Sequence, residues 1–415
     1  MVRRVVITGM GTVNPLGQDI ATTWAAVMTG KSGIRMLPEL EKLGLKSPFG
    51  GQVPDFDPQA LFGRRDARRM DRVTHMALAA ANQAVDQAQL TGNEFFDRDR
   101  VGVVLGSAVG GLGAVVDNEG AFQNKGSGRV SPFFIPMMLS DSVPGQISIV
   151  HGFRGPNMNI ATACASANNA IGEAAQIIRR DAADVMLTGG SEASLLPLLV
   201  AGFNSMGALS THNGDPEHAS RPFDRQRDGF VSAEGAAIIV LEELEHARAR
   251  GATIYAEFLG YGSSADAYHV STPAEDGGGA VLSMRWGLAD AGLEIEDIDY
   301  INAHGTSTPL NDKTETLAIK RVFGERAYAI PVSSTKAIHG HLLGAGGGLE
   351  ALISVQALQE QIIPPTWHYT HPDPDCDLDY VTEGPRPGRL NRIMSNSFGF
   401  GGHNATIILG KYPDV

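Results

Sequence analysis

Short runs of consecutive apolar residues recur along this chain, several of them closed by glycine. Val5 to Thr8 runs into Gly9-Met10-Gly11, Val101 to Leu105 into Gly106, and Asp184 to Thr188 into Gly189-Gly190. Thr253 to Leu259 runs into Gly260-Tyr261-Gly262. β-Branched runs without polar alternation predict strands buried on both faces, and the glycines predict loops at their ends. Tyr300 to Ala303, Pro331 to Thr335, Ile393 to Asn396 and Ala405 to Leu409 read the same way, and Asn159 to Ala163 leads into Cys164. Between the runs lie segments with few breakers: Asp71 to Gln89, Ala165 to Arg180, Gly278 to Ala291 and Leu349 to Leu358. Strands alternating with helices predict an α/β protein with parallel sheets covered by helices.

The same order of elements occurs twice, which reads as a diverged internal duplication. It divides the chain into residues 1–250 and 251–415, with the charged segment Glu242 to Gly251 as the seam. The stretch at about 111–157 has no counterpart in the second half and reads as an insertion.

Composition narrows the class. Of 415 residues, 43% are hydrophobic and 19% charged, which is the balance of a folded globular protein. Glycine is in excess, at 50 residues. A net charge of −13 argues against general affinity for nucleic acid. Two cysteines, Cys164 and Cys376, are too few for a disulfide framework, so a reducing, cytoplasmic setting is expected. The apolar stretch after Met1-Val2-Arg3-Arg4 is too short for a signal-peptide core. Leu195 to Phe203 is broken by Pro197 and Gly202, so no membrane association is expected.

Several familiar motifs fail. Gly30-Lys31-Ser32 lacks the first glycine of a phosphate loop, where Ala25 stands. Gly9-Met10-Gly11 lacks the third glycine of a dinucleotide fingerprint, where Asn14 stands. The pairs His339/His341 and His368/His371 have no cysteine or carboxylate partners at zinc spacing, so no metal is expected. Cys376 lies among Asp373, Asp375, Asp377 and Asp379, whose charge disfavours a thiolate, so it reads as structural.

Cys164 is different. It sits between a buried strand and the first turn of a helix, where free N–H groups favour a thiolate. It reads either as a nucleophile or as a small buried core residue. His304 follows an apolar strand and precedes Gly305-Thr306-Ser307-Thr308. Strand ends of this kind bind ligands in α/β proteins, though a structural histidine fits too. Lys336 and His341 share the loop Lys336-Ala337-Ile338-His339-Gly340-His341, ahead of Gly344-Ala345-Gly346-Gly347-Gly348. Phe400, flanked by Gly399 and Gly401-Gly402, reads as a pocket gate or as simple packing.

With these residues the chain resembles the β-ketoacyl-acyl-carrier-protein synthases, condensing enzymes of the thiolase fold. The likeness is greatest to the type II, elongating synthases. It rests on Thr162-Ala163-Cys164-Ala165-Ser166, on Ser220-Arg221-Pro222-Phe223-Asp224 with Arg227-Asp228-Gly229-Phe230, and on Asn302-Ala303-His304-Gly305-Thr306-Ser307-Thr308. It extends to Lys336 with Gly340-His341-Leu342-Leu343-Gly344-Ala345 and to Asn396-Ser397-Phe398-Gly399-Phe400-Gly401-Gly402. The resemblance implies a five-layered αβαβα fold of two duplicated halves with mixed sheets. It implies decarboxylating Claisen condensation of malonyl-acyl-carrier-protein with an acyl chain on Cys164, without cofactor. The implied partners are the acyl carrier protein and a second copy of the chain.

The implied roles are Cys164 as nucleophile, Cys164 and Phe400 amides as oxyanion hole, and His304 and His341 as promoters of decarboxylation. Lys336 would support them, paired with Glu315, and Glu350, Thr306 and Thr308 would stand behind. Phe400 would gate an acyl pocket walled by Val109, Phe203, Phe230 and, near the dimer interface, Phe134. Two departures stand out. Ser232-Ala233-Glu234-Gly235-Ala236-Ala237 is less glycine-rich than the family pattern. His339 replaces a small or hydroxyl residue and is similar to the nodulation-type branch; it would either alter His341 or pack beside it. A specialised polyketide or signal-lipid ketosynthase, a chain-length partner subunit and a Cys–His hydrolase are the competing readings. Cys164 argues against the partner subunit. Because the chain is acidic, docking of an acidic carrier calls for a local basic patch; Arg64, Arg65, Arg68 and Arg69 are the candidates, with a solvated helix face as the alternative.

Overall fold

The computed structural model describes residues 3–91 and 96–412; Met1 and Val2, part of the N-terminal stretch considered above, lie outside the described residues. Ten strands form the main sheet. They are β1 (Val5–Val13), β2 (Val101–Gly106), β3 (Asn157–Ile160), β4 (Val185–Glu192), β5 (Gly235–Glu243), β6 (Ala256–Ala265), β7 (Tyr300–Asn302), β8 (Val332–Ser333), β9 (Arg392–Gly399) and β10 (His403–Gly410). The order in the first half is β3-β2-β4-β5-β1, and in the second β8-β7-β9-β10-β6. Numbered within each half, both read third, second, fourth, fifth, first.

Pairing repeats as well. The second strand of each half lies parallel to the third and fourth, while the fourth–fifth and fifth–first pairs are antiparallel. The sheets are therefore mixed, as the resemblance implied, and not parallel throughout as the alternation of elements suggested. The two sets of strands join where β1 and β6 pair antiparallel, Val5 opposite Phe258.

Six helices complete the layers: α1 (Arg72–Gln87), α2 (Ser142–His151), α3 (Ser166–Arg179), α4 (Gly278–Ala291), α5 (Pro309–Phe323) and α6 (Gly346–Glu360). Helices α1 and α2 cover the outer face of the first half, and α4 and α5 that of the second. Helices α3 and α6 touch strands of both halves and form the middle layer. The strands explain why: alternate residues face opposite ways. Ile238 and Val240 pack outward with α1, while Ile239 and Leu241 pack inward with Ile171 and Leu349. Sheets buried on both faces read as unbroken apolar runs, and the resulting five layers constitute a thiolase fold.

Helix α2 crosses from β2 to β3 as α5 crosses from β7 to β8.

Gly106 ends β2 as expected, but other glycines expected to end strands do not. Strands β1 and β6 run straight through Gly9-Met10-Gly11 and Gly260-Tyr261-Gly262. A Cβ at Gly9 or Gly11 would strike the carbonyls of Ala84 or Ala80 on α1. One at Gly260 or Gly262 would strike those of Gly287 or Ser283 on α4. The motif lets a helix backbone lie directly on the strand, once in each half. Likewise, Gly346 to Gly348 open α6 and do not form a loop.

Candidate active site

Cys164 lies in a tight turn, Ala163–Ala165, between β3 and α3. Ala163 has φ of +49°, a strained value for a residue with a side chain. Ser166 braces the turn: its hydroxyl donates to Ala163 O at 2.6 Å and accepts from Thr162 N at 2.9 Å. The turn projects the thiol beyond the strand end, beside the end of β9. Gly399 makes this approach possible, because a Cβ there would lie 2.8 Å from Thr162 O and 3.0 Å from Cys164 N. As a result the backbone amides of Phe400 and Cys164 both face the sulfur.

Burial pushes the Cys164 thiol up to about 12, against the lowering effect of Lys336 and of the two amides. The expected lowering by the helix N-terminus is therefore overturned: loss of hydration outweighs it. The resting group is a protonated thiol, and its activation requires a base.

Two bases are at hand. Reactive atoms of Cys164, His304 and His341 all lie within 4.8 Å of one another. The two imidazoles meet edge to face, with ring centres 5.3 Å apart. Burial first, and then the positive charge of Lys336, hold both well below the usual histidine range, so both are neutral near pH 7. Nδ1 of His304 and both ring nitrogens of His341 are buried without a hydrogen-bond partner among the described residues. Unsatisfied polar atoms at this depth are costly, and their cluster beside a thiol marks a site of chemistry.

Lys336 is buried and pairs with Glu350, not with Glu315 as expected. Glu315 instead accepts the backbone amides of His304 and Gly305, each at 2.8 Å, and so fixes the turn that carries His304. The expected pairing fails because Glu315 projects from α5 beneath that turn, whereas Glu350 lies on α6, in the same layer as Lys336. His339 packs beside the site without entering it. Its Nδ1–H donates to Gly340 O at 2.6 Å, and Nε2 accepts from Thr335 Oγ1 at 3.0 Å. With both nitrogens engaged and burial pushing it down to about 3, it stays neutral.

A cavity of about 410 Å³ opens onto the cysteine. Cys164, Phe230, His304, Thr306, Thr308, His341, Phe398 and Phe400 line it. Thr306 and Thr308 share a hydroxyl–hydroxyl bond of 3.0 Å. Phe203 stands edge-on behind Phe230, with centres 5.2 Å apart, in an apolar cluster that includes Cys164, Val200 and Leu343. Val109 and Phe134 are half-buried but do not line the cavity. Arg64, Arg65, Arg68 and Arg69 are exposed on and just after the helix Pro58–Ala67, also away from the cavity lining. Arg69 lies 5.0 Å over the ring of Phe133. Cys376 is buried in the outer core of the second half, among apolar residues such as Leu378 and Tyr380.

The β-ketoacyl synthase N-terminal domain matches residues 2–247 and its C-terminal domain residues 255–370. The chain belongs to the β-ketoacyl synthase family. It is 48% identical over 410 residues to the 3-oxoacyl-[acyl-carrier-protein] synthase 2 of Synechocystis sp., covering 99% of this chain and 98% of that one. It is 47% identical to the protein of that name from Staphylococcus aureus, covering 99% of each. Among solved structures, a β-ketoacyl synthase from Burkholderia phymatum aligns with a TM-score of 0.92 at 37% identity, over 99% of this chain and 100% of that one. A type II polyketide ketosynthase, solved with its acyl-carrier protein and bound to a hexaketide, aligns with a TM-score of 0.91 at 34% identity over the full length of both.

In this β-ketoacyl synthase one buried carboxylate went unnoticed in the sequence. Glu192, the last residue of β4, accepts from Ala108 N at 2.7 Å, Val109 N at 3.3 Å, Gly344 N at 3.2 Å and Ser107 Oγ at 3.2 Å. The only sequence signal is an acidic residue just past the apolar run and Gly189-Gly190. Burial pushes Glu192 and Glu315 up to about 7. From the ordinary 4.5 to about 7, the folded state holds protons that the unfolded state has released. Stability therefore falls as pH rises through that window. Denaturant unfolding across it should show the decline, and Glu315→Gln should make it shallower, the share of Glu192 remaining; an equal slope in the variant would remove Glu315 as a source.

Proposed function

We propose that the chain catalyses decarboxylating condensation of malonyl-acyl-carrier-protein with an acyl group on Cys164, giving 3-oxoacyl-acyl-carrier-protein in fatty acid elongation. The observation that carries this is the buried thiol at a strained turn, faced by two amides and two neutral imidazoles. A neutral imidazole takes the thiol proton as sulfur attacks the acyl thioester of the carrier. The carrier leaves as its free thiol. The amides of Cys164 and Phe400 hold the oxygen of the tetrahedral intermediate.

In the second half-reaction malonyl thioester loses carbon dioxide. The N–H groups of neutral His304 and His341 stabilise the enolate oxygen as charge develops there. The enolate carbon attacks the Cys164 thioester, the sulfur leaves and takes a proton from water to restore the thiol, and the product is two carbons longer. Decarboxylation drives the step, so no redox cofactor or nucleotide is required. Burial, reinforced by the charge of Lys336 held by Glu350, keeps both imidazoles neutral. Thr306 and Thr308 present hydroxyls along the cavity to the carrier's prosthetic arm. Phe400 gates the cavity and Phe230 walls it, with Phe203 behind; Val109 and Phe134, outside the cavity lining, would bound the acyl chain beyond it, Phe134 near the dimer interface.

The polyketide reading draws on the ketosynthase neighbours, but identity is higher to the synthases named for 3-oxoacyl products. Mass spectrometry of Cys164 after incubation with acyl carriers of graded length tests the proposal. A two-carbon-longer product with released carbon dioxide supports it. Hydrolysis without carbon dioxide would replace it with a hydrolase, and a polyketide-length adduct with the specialised reading.

The repeat of strand order supports a division near residue 250. Strand β3 lies at the sheet edge, and Ile149, Val150 and Met158 are exposed beside it, which supports a homodimer across this edge. Among the described residues no helix is long and apolar enough to cross a membrane, which accords with a cytoplasmic enzyme. The four arginines at 64, 65, 68 and 69 offer the acidic carrier a basic face. Reversing their charge should weaken carrier binding most strongly at low salt; unchanged affinity at low salt would leave them as a solvated helix face.

A further inference from the structure

The catalytic turn has a twin. In the first half, Ala163–Ala165 precedes α3, with Ala163 at φ +49° and Cys164 next. In the second half, Leu343–Ala345 precedes α6, with Leu343 at φ +45° and Gly344 next. Gly344 thus occupies the place in the second half that Cys164 holds in the first. The neighbouring strands correspond too. Each fourth strand, β4 and β9, has eight residues, and their last residues are Glu192 and Gly399. At the catalytic turn Gly399 has no side chain, and the amide of Cys164 stays open toward the sulfur. At the twin, the Glu192 side chain fills this space, and its carboxylate accepts the Gly344 amide.

The carboxylate does more than cap one amide. It also binds Ala108 N, Val109 N and Ser107 Oγ, so it ties the β2 loop to the turn that follows His341. Leu343 in that turn lines the cavity. Glu192 is wholly buried, with no cation bonded to it among the described residues. We propose that Glu192 plugs the duplicate of the catalytic turn and acts as a positioning residue, holding the Val109 wall against the His341–Leu343 turn and so setting acyl-length preference. This rests on the reading of Val109 as an acyl-pocket wall given above.

A second consequence is electrostatic. The negative charge of Glu192 disfavours the Cys164 thiolate. Glu192→Gln keeps the shape, removes the charge and sets an amide N–H₂ against the facing N–H donors. Glu192→Asp keeps the charge but withdraws the carboxylate by one methylene.

The experiment measures condensation with saturated acyl carriers of graded length, together with the pH dependence of Cys164 alkylation by iodoacetamide. Both variants should broaden the length profile, with the change in KM for long acyl carriers and little change in malonyl decarboxylation. Only Glu192→Gln should shift the alkylation curve to lower pH, with a several-fold faster reaction at neutral pH; a merely structural role would not separate the two. An unchanged length profile in either folded variant overturns the proposal, as does loss of fold in both. Absence of condensation by the unaltered protein would instead overturn the proposed function.

Discussion

Cys164→Ala is expected to lower condensation on the order of 10⁶-fold, the scale of deleting a covalent nucleophile. No acyl adduct should form on the variant. Decarboxylation of malonyl carrier should persist, because His304 and His341 remain and the methyl side chain leaves room beside them. Folding should be little altered: the turn is braced by Ser166 and not by the thiol. Acyl-adduct mass spectrometry, carbon dioxide release and thermal unfolding on the same sample separate these outcomes. Continued elongation by a folded variant would refute the assignment of Cys164 as nucleophile. For the unaltered protein, the thiol pushed up to about 12 predicts slow alkylation at neutral pH when no acyl carrier is present.

Lys336→Met carries the second large expected effect. The side chains of Lys336 and Glu350 are 1% and 0% exposed, so removing the cation strands a carboxylate in a dry interior. Breaking a buried pair of this kind costs about 3–5 kcal/mol. Activity should fall for a separate reason. Lys336 lowers the proton affinity of both imidazoles, so its loss lets them protonate at higher pH, and the acid limb of the pH–rate profile should move upward. The double variant Lys336→Met/Glu350→Gln distinguishes the two effects. It should regain most of the stability, because no lone charge stays buried, but not the activity or the original acid limb. Recovery of both would show that Lys336 serves the fold alone.

How far the site was legible in the sequence depended on where each group lies. Cys164, His304, Lys336 and His341 stand at strand ends or just past them, where local sequence shows both the buried strand and the turn that follows. The partner of Lys336 was misassigned because it lies on α6, beyond the reach of local pattern. Glu192 was overlooked for a related reason: its four donors come from the β2 loop and from a turn some 150 residues away in the chain. The state of Cys164 is likewise not set by local sequence. Helix position is local, but desolvation is summed over every layer packed around the thiol.

Glycine shows the same boundary. A glycine in sequence signals either a turn or a close approach, and only packing separates them. Gly399 admits the nucleophile's turn, whereas Gly9-Met10-Gly11 and Gly260-Tyr261-Gly262 admit helices onto uninterrupted strands. The sequence by itself determined the α/β class, the repeated order of elements and the four chemical side chains, because these follow from local periodicity and from residue type. The tertiary structure alone decided which strands pair and in which direction, the ion-pair partners, and the protonation of the thiol and imidazoles. Those depend on which distant segments meet, and on how completely their meeting removes water.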